Sequence, residues 1–311
     1  MRPRIPPNEN PRRGALRLLL LVGIGAALSG CHPGNAEAKR LRGSCNAGEA
    51  KSCNQLAVRE QKGEYVLRDE RHAAQLFDQA CKGGVADGCA SLGVVYQTGK
   101  GAKRDSVRAF KLLEQGCDQG AMDGCSRLGI LYERGAGTTR DITRAAALFQ
   151  RSCDGGNQLG CAHLGTLYAT GDGLPQDFTR AAALLQKSCA DKIALGCLGL
   201  GRLHASGTGV ARNNSTAAAL FEQSCEGGES AACIQSAAVL EAGRGVTQNF
   251  QRAAQLYRQA CEDANGEACA RLAKLYDRGA GVHRDTDRAV SFRKRACEYK
   301  YAEACEKPKG A

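Results

Sequence analysis

Sixteen cysteines lie on a regular grid, and this grid constrains the fold of the 311-residue chain more than any other feature. They form eight pairs whose members are eight residues apart, and the pairs recur every thirty-six residues without an insertion. A fixed period of this size indicates one supersecondary unit stacked on copies of itself, so the sequence predicts a solenoid. The pairs are Cys45 and Cys53, Cys81 and Cys89, Cys117 and Cys125, Cys153 and Cys161, Cys189 and Cys197, Cys225 and Cys233, Cys261 and Cys269, and Cys297 and Cys305.

Each repeat carries the pattern of two helices. In one copy, Leu92 and Tyr96 lie on one helical stripe, and Ala109 and Leu113 lie on a second stripe further along the chain. Two glycines follow the first stripe and indicate a tight turn, and an Asp or Asn before the second stripe can cap a new helix. We therefore predict an all-α fold, an α/α solenoid of about seven 36-residue helix-turn-helix repeats. The capping residues are Asp69, Asp105, Asp141, Asp177, Asn213, Asn249 and Asp285.

The start of the chain predicts export. Arg12, Arg13 and Arg17 precede an apolar run from Leu18 to Leu28, which is shorter than the about 20 residues that span a bilayer. The sequence Leu28-Ser29-Gly30-Cys31 resembles the lipobox of bacterial lipoproteins. This resemblance implies cleavage before Cys31 and lipidation of that cysteine. Secretion without lipidation is the alternative.

This interpretation divides the chain into four segments. Residues 1–30 would be a lipoprotein signal peptide, 31–44 a lipid-anchored linker, 45–305 the solenoid and 306–311 a C-terminal tail. Cleavage would lower the formal net charge from +11 to +7, because five basic residues and one acidic residue precede Cys31. The remaining charge is dispersed in mixed signs and no groove-reading motif accompanies it, so no nucleic-acid partner is expected.

An oxidising compartment favours disulfides among the sixteen paired cysteines. The sequence alone leaves their pairing open. A bridge within a pair needs Cα atoms about 4.4 to 6.8 Å apart, and the seven residues between Cys81 and Cys89 can fold back to allow it. Zinc is the alternative, since two pairs supply four thiolates, but no histidine keeps register with the cysteines. No metal and no other cofactor is therefore expected.

One complete copy carries a motif that indicates a family resemblance. The motif is Cys125-x-x-Leu128-Gly129-x-x-Tyr132-x-x-Gly135-x-Gly137-x-x-x-Asp141-x-x-x-Ala145-x-x-Leu148-Phe149-x-x-x-Cys153. It resembles the Sel-one-like repeat, an α/α relative of the tetratricopeptide repeat, and the added cysteine pair resembles the Helicobacter cysteine-rich protein subfamily. The resemblance covers about residues 45–305. It implies disulfides linking consecutive helices, a right-handed superhelix and a concave face used for protein contacts.

The repeats depart from this motif at the ends and in the middle. Glu60 and Tyr65 replace the usual Tyr and second Gly in the first repeat, and His204 and Leu240 replace Tyr later in the chain. We interpret the first copy and the fragment ending at Pro308 as caps.

The subfamily resemblance also implies penicillin binding with weak β-lactamase activity. A serine β-lactamase needs Ser-x-x-Lys together with Ser-Asp-Asn and Lys-Thr-Gly. The chain contains one Ser-x-x-Lys, from Ser291 to Lys294, and lacks both partner motifs. A metal-dependent enzyme would need a histidine cluster, whereas the five histidines lie in unrelated repeats. Ser291 and Lys294 are therefore weak catalytic candidates, and β-lactam hydrolysis is the alternative to a non-catalytic function.

Side chains that differ between repeats are candidate partner contacts, because a solenoid binds through positions that its packing leaves variable. We expect His163 on the exposed side of its helix and His204 at a packing position. The predicted function is an exported, lipid-anchored scaffold at the cell envelope, facing the periplasm or the cell surface, which binds an extended or acidic protein segment. A solvated helix face is the alternative for the candidate contacts. These are Arg127, His163, Arg202, Gln235, Arg271 and Lys274.

Overall fold

The structure is a computed structural model, and it describes residues 33–305. Within this range it contains fifteen α-helices, a short 3-10 turn at Ala302–Ala304 and no β-strand, which confirms the predicted all-α fold. The helices are α1 (Pro33–Asn46), α2 (Ala50–Lys62), α3 (Glu70–Lys82), α4 (Ala86–Thr98), α5 (Ser106–Asp118), α6 (Met122–Arg134), α7 (Ile142–Asp154), α8 (Gln158–Thr170), α9 (Phe178–Ala190), α10 (Ala194–Ser206), α11 (Asn214–Glu226), α12 (Ser230–Ala242), α13 (Phe250–Glu262), α14 (Gly266–Arg278) and α15 (Thr286–Glu298).

Seven helix pairs make up the repeats. Each pair has a first helix and a second helix, from α2 with α3 to α14 with α15, and the main contacts join helices of the same or adjacent repeats. Buried side chains form four clusters that follow one another along the chain, instead of one closed core. This arrangement is the solenoid that the cysteine grid predicts.

The first helices form the inner layer of the solenoid. Helices α4, α6, α8 and α10 contact one another in succession, whereas the described second helices of adjacent repeats show no comparable contact. Elements on the inside of a curved stack lie closer together than those on the outside. Helices α4, α6, α8 and α10 therefore line the inner face, and α2, α12 and α14 hold the equivalent places in their own repeats.

The helix boundaries follow the predicted caps. The Asp141 side chain accepts a hydrogen bond from the backbone N–H of Arg144, and the equivalent Asp or Asn caps each second helix from α3 to α15. Each first helix ends on a glycine in the left-handed conformation, where a side chain would be strained. These local signals define both ends of the turn between the paired helices.

The second glycine of the turn lies against the preceding repeat. Gly137 has a φ of +77°, and a Cβ atom there would overlap the carbonyl oxygen of Ser106, at the start of α5. Gly101, Gly209 and Gly281 face the equivalent backbone of the repeat that precedes each of them. This glycine therefore determines how closely adjacent repeats approach.

In three repeats the residue before the N-cap closes the end of the first helix, a feature that the sequence analysis missed. Arg140 Nε donates to the carbonyl oxygen of Glu133 at 3.1 Å, and the Gln176 amide donates to that of Ala169 at 3.0 Å. Carbonyls in the last turn of a helix have no intrahelical donor, so the side chain supplies one.

Eight disulfides join consecutive units of the stack. In every bridge the two cysteines are eight residues apart and their Cα atoms lie 4.5 to 4.8 Å from each other. Cys153 lies in the last turn of α7 and Cys161 in the first turn of α8, so their bridge crosses the boundary between two repeats. The disulfide-stapled solenoid is confirmed. The bridges join Cys45 with Cys53, Cys81 with Cys89, Cys117 with Cys125, Cys153 with Cys161, Cys189 with Cys197, Cys225 with Cys233, Cys261 with Cys269, and Cys297 with Cys305.

The bridged cysteines of the first helices are also core residues, which the sequence analysis did not predict. Cys197 and Cys233 are each 1% exposed, and Cys269 is fully buried. All three belong to the apolar clusters between adjacent repeats, because the small apolar side chain of a bridged cysteine packs like a hydrophobic residue. These cysteines therefore have a structural role, and none of the three lies on a surface that a partner could reach.

The N-terminal end differs from the prediction. Residues 31–44 are predicted to be a linker, but Pro33–Asn46 forms α1, and Leu41 and Cys45 join the buried cluster beneath α2 and α3. The linker prediction is wrong from Pro33 onward, because Leu41 and Cys45 repeat the apolar spacing of α3 one repeat earlier in the chain. The predicted signal peptide, Cys31 and the tail at 306–311 lie outside the described residues. In residues 33–305, no helix is long and apolar enough to cross a bilayer.

Candidate binding surface

Each first helix exposes one stripe on the inner face. On α10 Arg202 is exposed, whereas Gly199, at the position of His163 in the preceding repeat, lies against Leu185 of α9. Arg202, Gln235 and Lys274 are exposed here, and within the described residues their side chains make no hydrogen bond or ion pair. These three predicted contacts are therefore accessible to a partner.

Arg127 and Arg271 already have partners within their own helices. Arg127 Nε donates to Asp123 Oδ2 at 2.6 Å, and Arg271 Nε donates to Glu267 Oε1 at 2.9 Å. Exposed pairs one helical turn apart stabilise a helix by about 0.3 to 0.5 kcal/mol. Their main effect here is to neutralise the two arginines, which makes them weaker candidates for binding an acidic partner than Arg202.

His163 does not lie on an exposed face, and this part of the prediction is wrong. Its side chain is 13% exposed, and its Nδ1 atom lies 3.4 Å from Glu133 Oε2 on α6. The imidazole stacks on Phe149 of α7, with ring centroids 4.6 Å apart and planes inclined by 12°. His163 therefore connects two repeats. Spacing along the chain does not show this, because the contact depends on side chains from two other helices.

An equivalent cluster recurs three repeats later and was also missed by the sequence analysis. Glu241, Tyr257 and Arg271 occupy the corresponding positions on α12, α13 and α14. The buried Tyr257 hydroxyl donates to Glu241 Oε2 at 3.0 Å, and Arg278 Nη2 donates to Glu241 Oε1 at 2.8 Å. Burial raises the pKa of Tyr257, so the phenol keeps its proton and remains a donor. An acid, an aromatic ring and a basic side chain thus link adjacent repeats at two places.

The contact between Glu133 and His163 predicts an acid-sensitive repeat boundary. The hydrogen bond from His163 lowers the pKa of Glu133 below its ordinary value of 4.5. A carboxyl with a lowered folded pKa stabilises the fold above its unfolded pKa, and this contribution is lost as the pH falls through the folded value. We therefore expect Glu133→Gln to be less stable than the unmodified protein at neutral pH and to lose less further stability on acidification.

Urea unfolding at neutral pH and at about pH 3 measures this difference. Glu226→Gln is the matched control, because Glu226 is exposed at the end of α11. The control should follow the unmodified protein at both pH values. If Glu133→Gln also followed it, the contact would not contribute to stability.

A tyrosine and an arginine form a recurring pair where the first and second helices of a repeat meet. In the first repeat the same positions hold Glu60 and His72, whose Oε2 and Nδ1 atoms lie 2.5 Å apart. His204 takes the place of the tyrosine in its repeat, and its Nδ1 lies 3.1 Å from the carbonyl oxygen of Ala211 in the following turn. The pairs are Tyr96 with Arg108, Tyr132 with Arg144, Tyr168 with Arg180 and Tyr276 with Arg288.

Ser291 and Lys294 do not assemble a catalytic site in the described residues. Both are exposed on α15, and no hydrogen bond joins their side chains. A nucleophilic serine needs a base within hydrogen-bond reach and donors for the developing oxyanion. The β-lactamase alternative therefore gains no support from this helix.

The paired cysteines offer no free thiolate to a metal ion in this structure. All sixteen are bridged, and a disulfide sulfur is no longer a thiolate ligand. Across residues 33–305, no group of three or more His, Cys, Asp or Glu side chains could hold a metal ion.

A family model accounts for the repeats. The model of the Sel1 repeat matches seven segments of the chain, and each segment spans a first helix and the second helix that follows it. The chain belongs to the Sel1 repeat family. Sel1 repeats are protein-interaction modules, in agreement with a scaffold that binds protein partners. The matched segments are residues 50–85, 86–120, 123–157, 158–192, 194–229, 230–265 and 266–298.

Two solved Sel1 repeat structures are similar over most of this chain. One is c5321 of uropathogenic Escherichia coli, described as a protective antigen with an SLR fold. It is 30% identical, with a TM-score of 0.57 over 85% of this chain. The match spans 57% of c5321 itself. The other is a Sel1 repeat protein of Oxalobacter formigenes, with 22% identity and a TM-score of 0.61 over 86% of this chain and 77% of that chain.

A shorter match involves cysteine-rich protein B of Helicobacter pylori. It is 27% identical and covers 40% of this chain and 88% of that chain, with a TM-score of 0.33. This likeness is too low to place the chain among the cysteine-rich Sel1 repeat proteins. Among proteins with curated functions, none matches the sequence.

Proposed function

We propose that this Sel1 repeat protein is an exported, lipid-anchored scaffold of the cysteine-rich type, whose inner face binds a protein partner at the cell envelope. Eight disulfides support export, since such bridges persist in oxidising compartments. The lipobox-like sequence before Cys31 supports the anchor. Residues 1–30 would be removed, and the solenoid would remain attached through Cys31.

The observation that carries the binding proposal is the exposed stripe on the inner face of the last three repeats. Arg202 has no carboxylate one turn earlier, unlike Arg127. Lys274 and Gln235 extend the stripe in the following repeats. Two unneutralised cations, Arg202 and Lys274, with a polar side chain between them suit an extended acidic segment.

A photo-crosslinking amino acid introduced at positions 202, 235 and 274 tests the proposal in the native envelope. Matched control positions are Ala147, Ala183 and Ala219, which are exposed on the second helices. We expect all three inner positions to give an adduct with the same protein and the control positions to give none. Equal adducts from both faces, or none from the inner face, would contradict the proposal.

Charge reversal distinguishes the unneutralised cations from those that already have partners. Arg202→Glu and Lys274→Glu should reduce the adduct formed at position 235. Arg127→Glu is the matched control, because that arginine already pairs with Asp123. If Arg127→Glu reduced the adduct more than Arg202→Glu, Arg127 would be the partner contact and Arg202 would not.

A further inference from the structure

We propose that the N-terminal end of the solenoid is a membrane-docking surface, which contacts the anionic headgroup region of the bilayer that holds Cys31. This inference rests on the proposed lipid anchor and adds a defined orientation to it. The described helix α1 begins at Pro33, and two extended residues reach about 7 Å. The end formed by α1 and the connection between α2 and α3 therefore lies next to any lipid carried by Cys31.

An exposed aliphatic side chain marks this surface. Leu67, in the connection between α2 and α3, is 91% exposed, and Tyr65 in the same connection is 49% exposed. The other six repeats carry a small or polar residue or proline at the position of Leu67, so the turn itself does not require leucine. A leucine in the copy nearest to Cys31 points to an apolar environment outside the protein. The equivalent residues are Lys103, Thr139, Pro175, Ala211, Thr247 and His283.

Basic side chains of α1 border Leu67. Leu67, Lys39 and Arg42 line one open groove between α1 and the α2–α3 connection. Lys39, Arg40 and Arg42 are all exposed. A basic side chain near an anionic bilayer contributes about 1 kcal/mol of attraction, and its aliphatic stem can lie along apolar surface.

The carboxylates around the groove already form ion pairs or hydrogen bonds within the protein. Glu60 is 3% exposed and contacts Arg42 and His72. Asp69 caps α3 by accepting from the backbone N–H of His72, and Glu37 is ion-paired with an arginine of α2. Lys39 and Arg40 therefore remain to face negatively charged headgroups.

An exposed aliphatic side chain with basic side chains beside it is typical of surfaces that lie in the membrane interface. One buried leucine changes a partition coefficient roughly tenfold, which is much less than a lipid anchor provides. The anchor would therefore hold the protein at the membrane, and this surface would orient it.

A single tryptophan reports the contact, because the chain contains none. Leu67→Trp and the control Val290→Trp are compared in the full chain, purified from the envelope and reconstituted with phosphatidylglycerol vesicles. Val290 is 58% exposed on α15, at the opposite end of the solenoid. We expect vesicles to shift the Leu67→Trp emission to the blue and to protect it from acrylamide, and to change neither property of Val290→Trp. Equal quenching of both variants would overturn the proposal.

The mass of the N-terminal peptide tests the anchor separately. If Cys31 proves to be unlipidated, co-sedimentation of the protein with vesicles tests whether the docking surface binds the membrane without an anchor. Leu67→Ser should then lower partitioning roughly tenfold and Val290→Ser should leave it unchanged. No difference between these variants would overturn the docking surface.

Protection of Leu67→Trp without vesicles, rising with protein concentration, would assign the surface to a second copy of the chain and would equally overturn the proposal.

Discussion

A Gly137→Ala variant is expected to lose about 3 kcal/mol of unfolding free energy, because two costs add at this position. The residue has a φ of +77°, which strains any side chain, and a Cβ atom would overlap the Ser106 carbonyl in the preceding repeat. The variant must either deform its turn or separate two repeats. Urea unfolding followed by far-UV circular dichroism measures the loss.

Gly156→Ala is the matched control for this prediction. Gly156 has a φ of +89° in the connection after α7, and an added Cβ would meet no atom within 4 Å. The positions equivalent to Gly156 one and three repeats later are Lys192 and Ala264, which adopt φ values of +61° and +63°. The solenoid therefore tolerates alanine at this position. The control should lose about 1 kcal/mol from backbone strain alone. Equal losses in the two variants would show that Gly137 does not control repeat spacing.

Removing the central disulfide is expected to destabilise the protein more than removing the last one. Replacing Cys153 and Cys161 by alanine should cost about 2.5 kcal/mol, since their bridge closes a short loop in the unfolded chain. The change also weakens a boundary between two repeats in the middle of the stack. In a quasi-one-dimensional protein such a break divides the array into units that unfold separately. We therefore expect a lower transition midpoint and a broader transition.

The bridge between Cys297 and Cys305 provides the comparison. It joins α15 to the short turn at Ala302–Ala304, beyond which no repeat packs in the described residues. Its replacement by two alanines should loosen the end of the chain and leave the main transition nearly unchanged. Calorimetry under non-reducing conditions distinguishes the two variants. An equal effect from both would contradict the view that the bridges act as links between neighbours.

The architecture was predictable because its determinants are local. Caps such as Asp141 and turn glycines such as Gly135 act within a few residues, and the period repeats them in every copy. The end of the solenoid was harder to predict. Helix α1 keeps Leu41 and Cys45 in the register of a second helix, but the sequence upstream of it does not carry the cysteine and glycines of a first helix. Without the first-helix motif upstream, half of the repeat pattern was missing from the sequence.

The candidate site was only partly predictable, because the exposure of a side chain depends on its neighbours in adjacent repeats. Arg202 and His163 both lie on inner stripes, yet Arg202 is exposed whereas His163 stacks on Phe149 and contacts Glu133. A comparison of copies three repeats apart could have indicated this packing, since acid, aromatic and basic residues recur together. Spacing within one repeat carries no such information.

The most direct test of the account is a mass map of disulfides in the mature protein, digested without reduction and with free thiols blocked. The stapled solenoid predicts eight linked peptides, each joining cysteines eight residues apart, and no free thiol among these sixteen residues. Free thiols, or bridges between distant repeats, would contradict it.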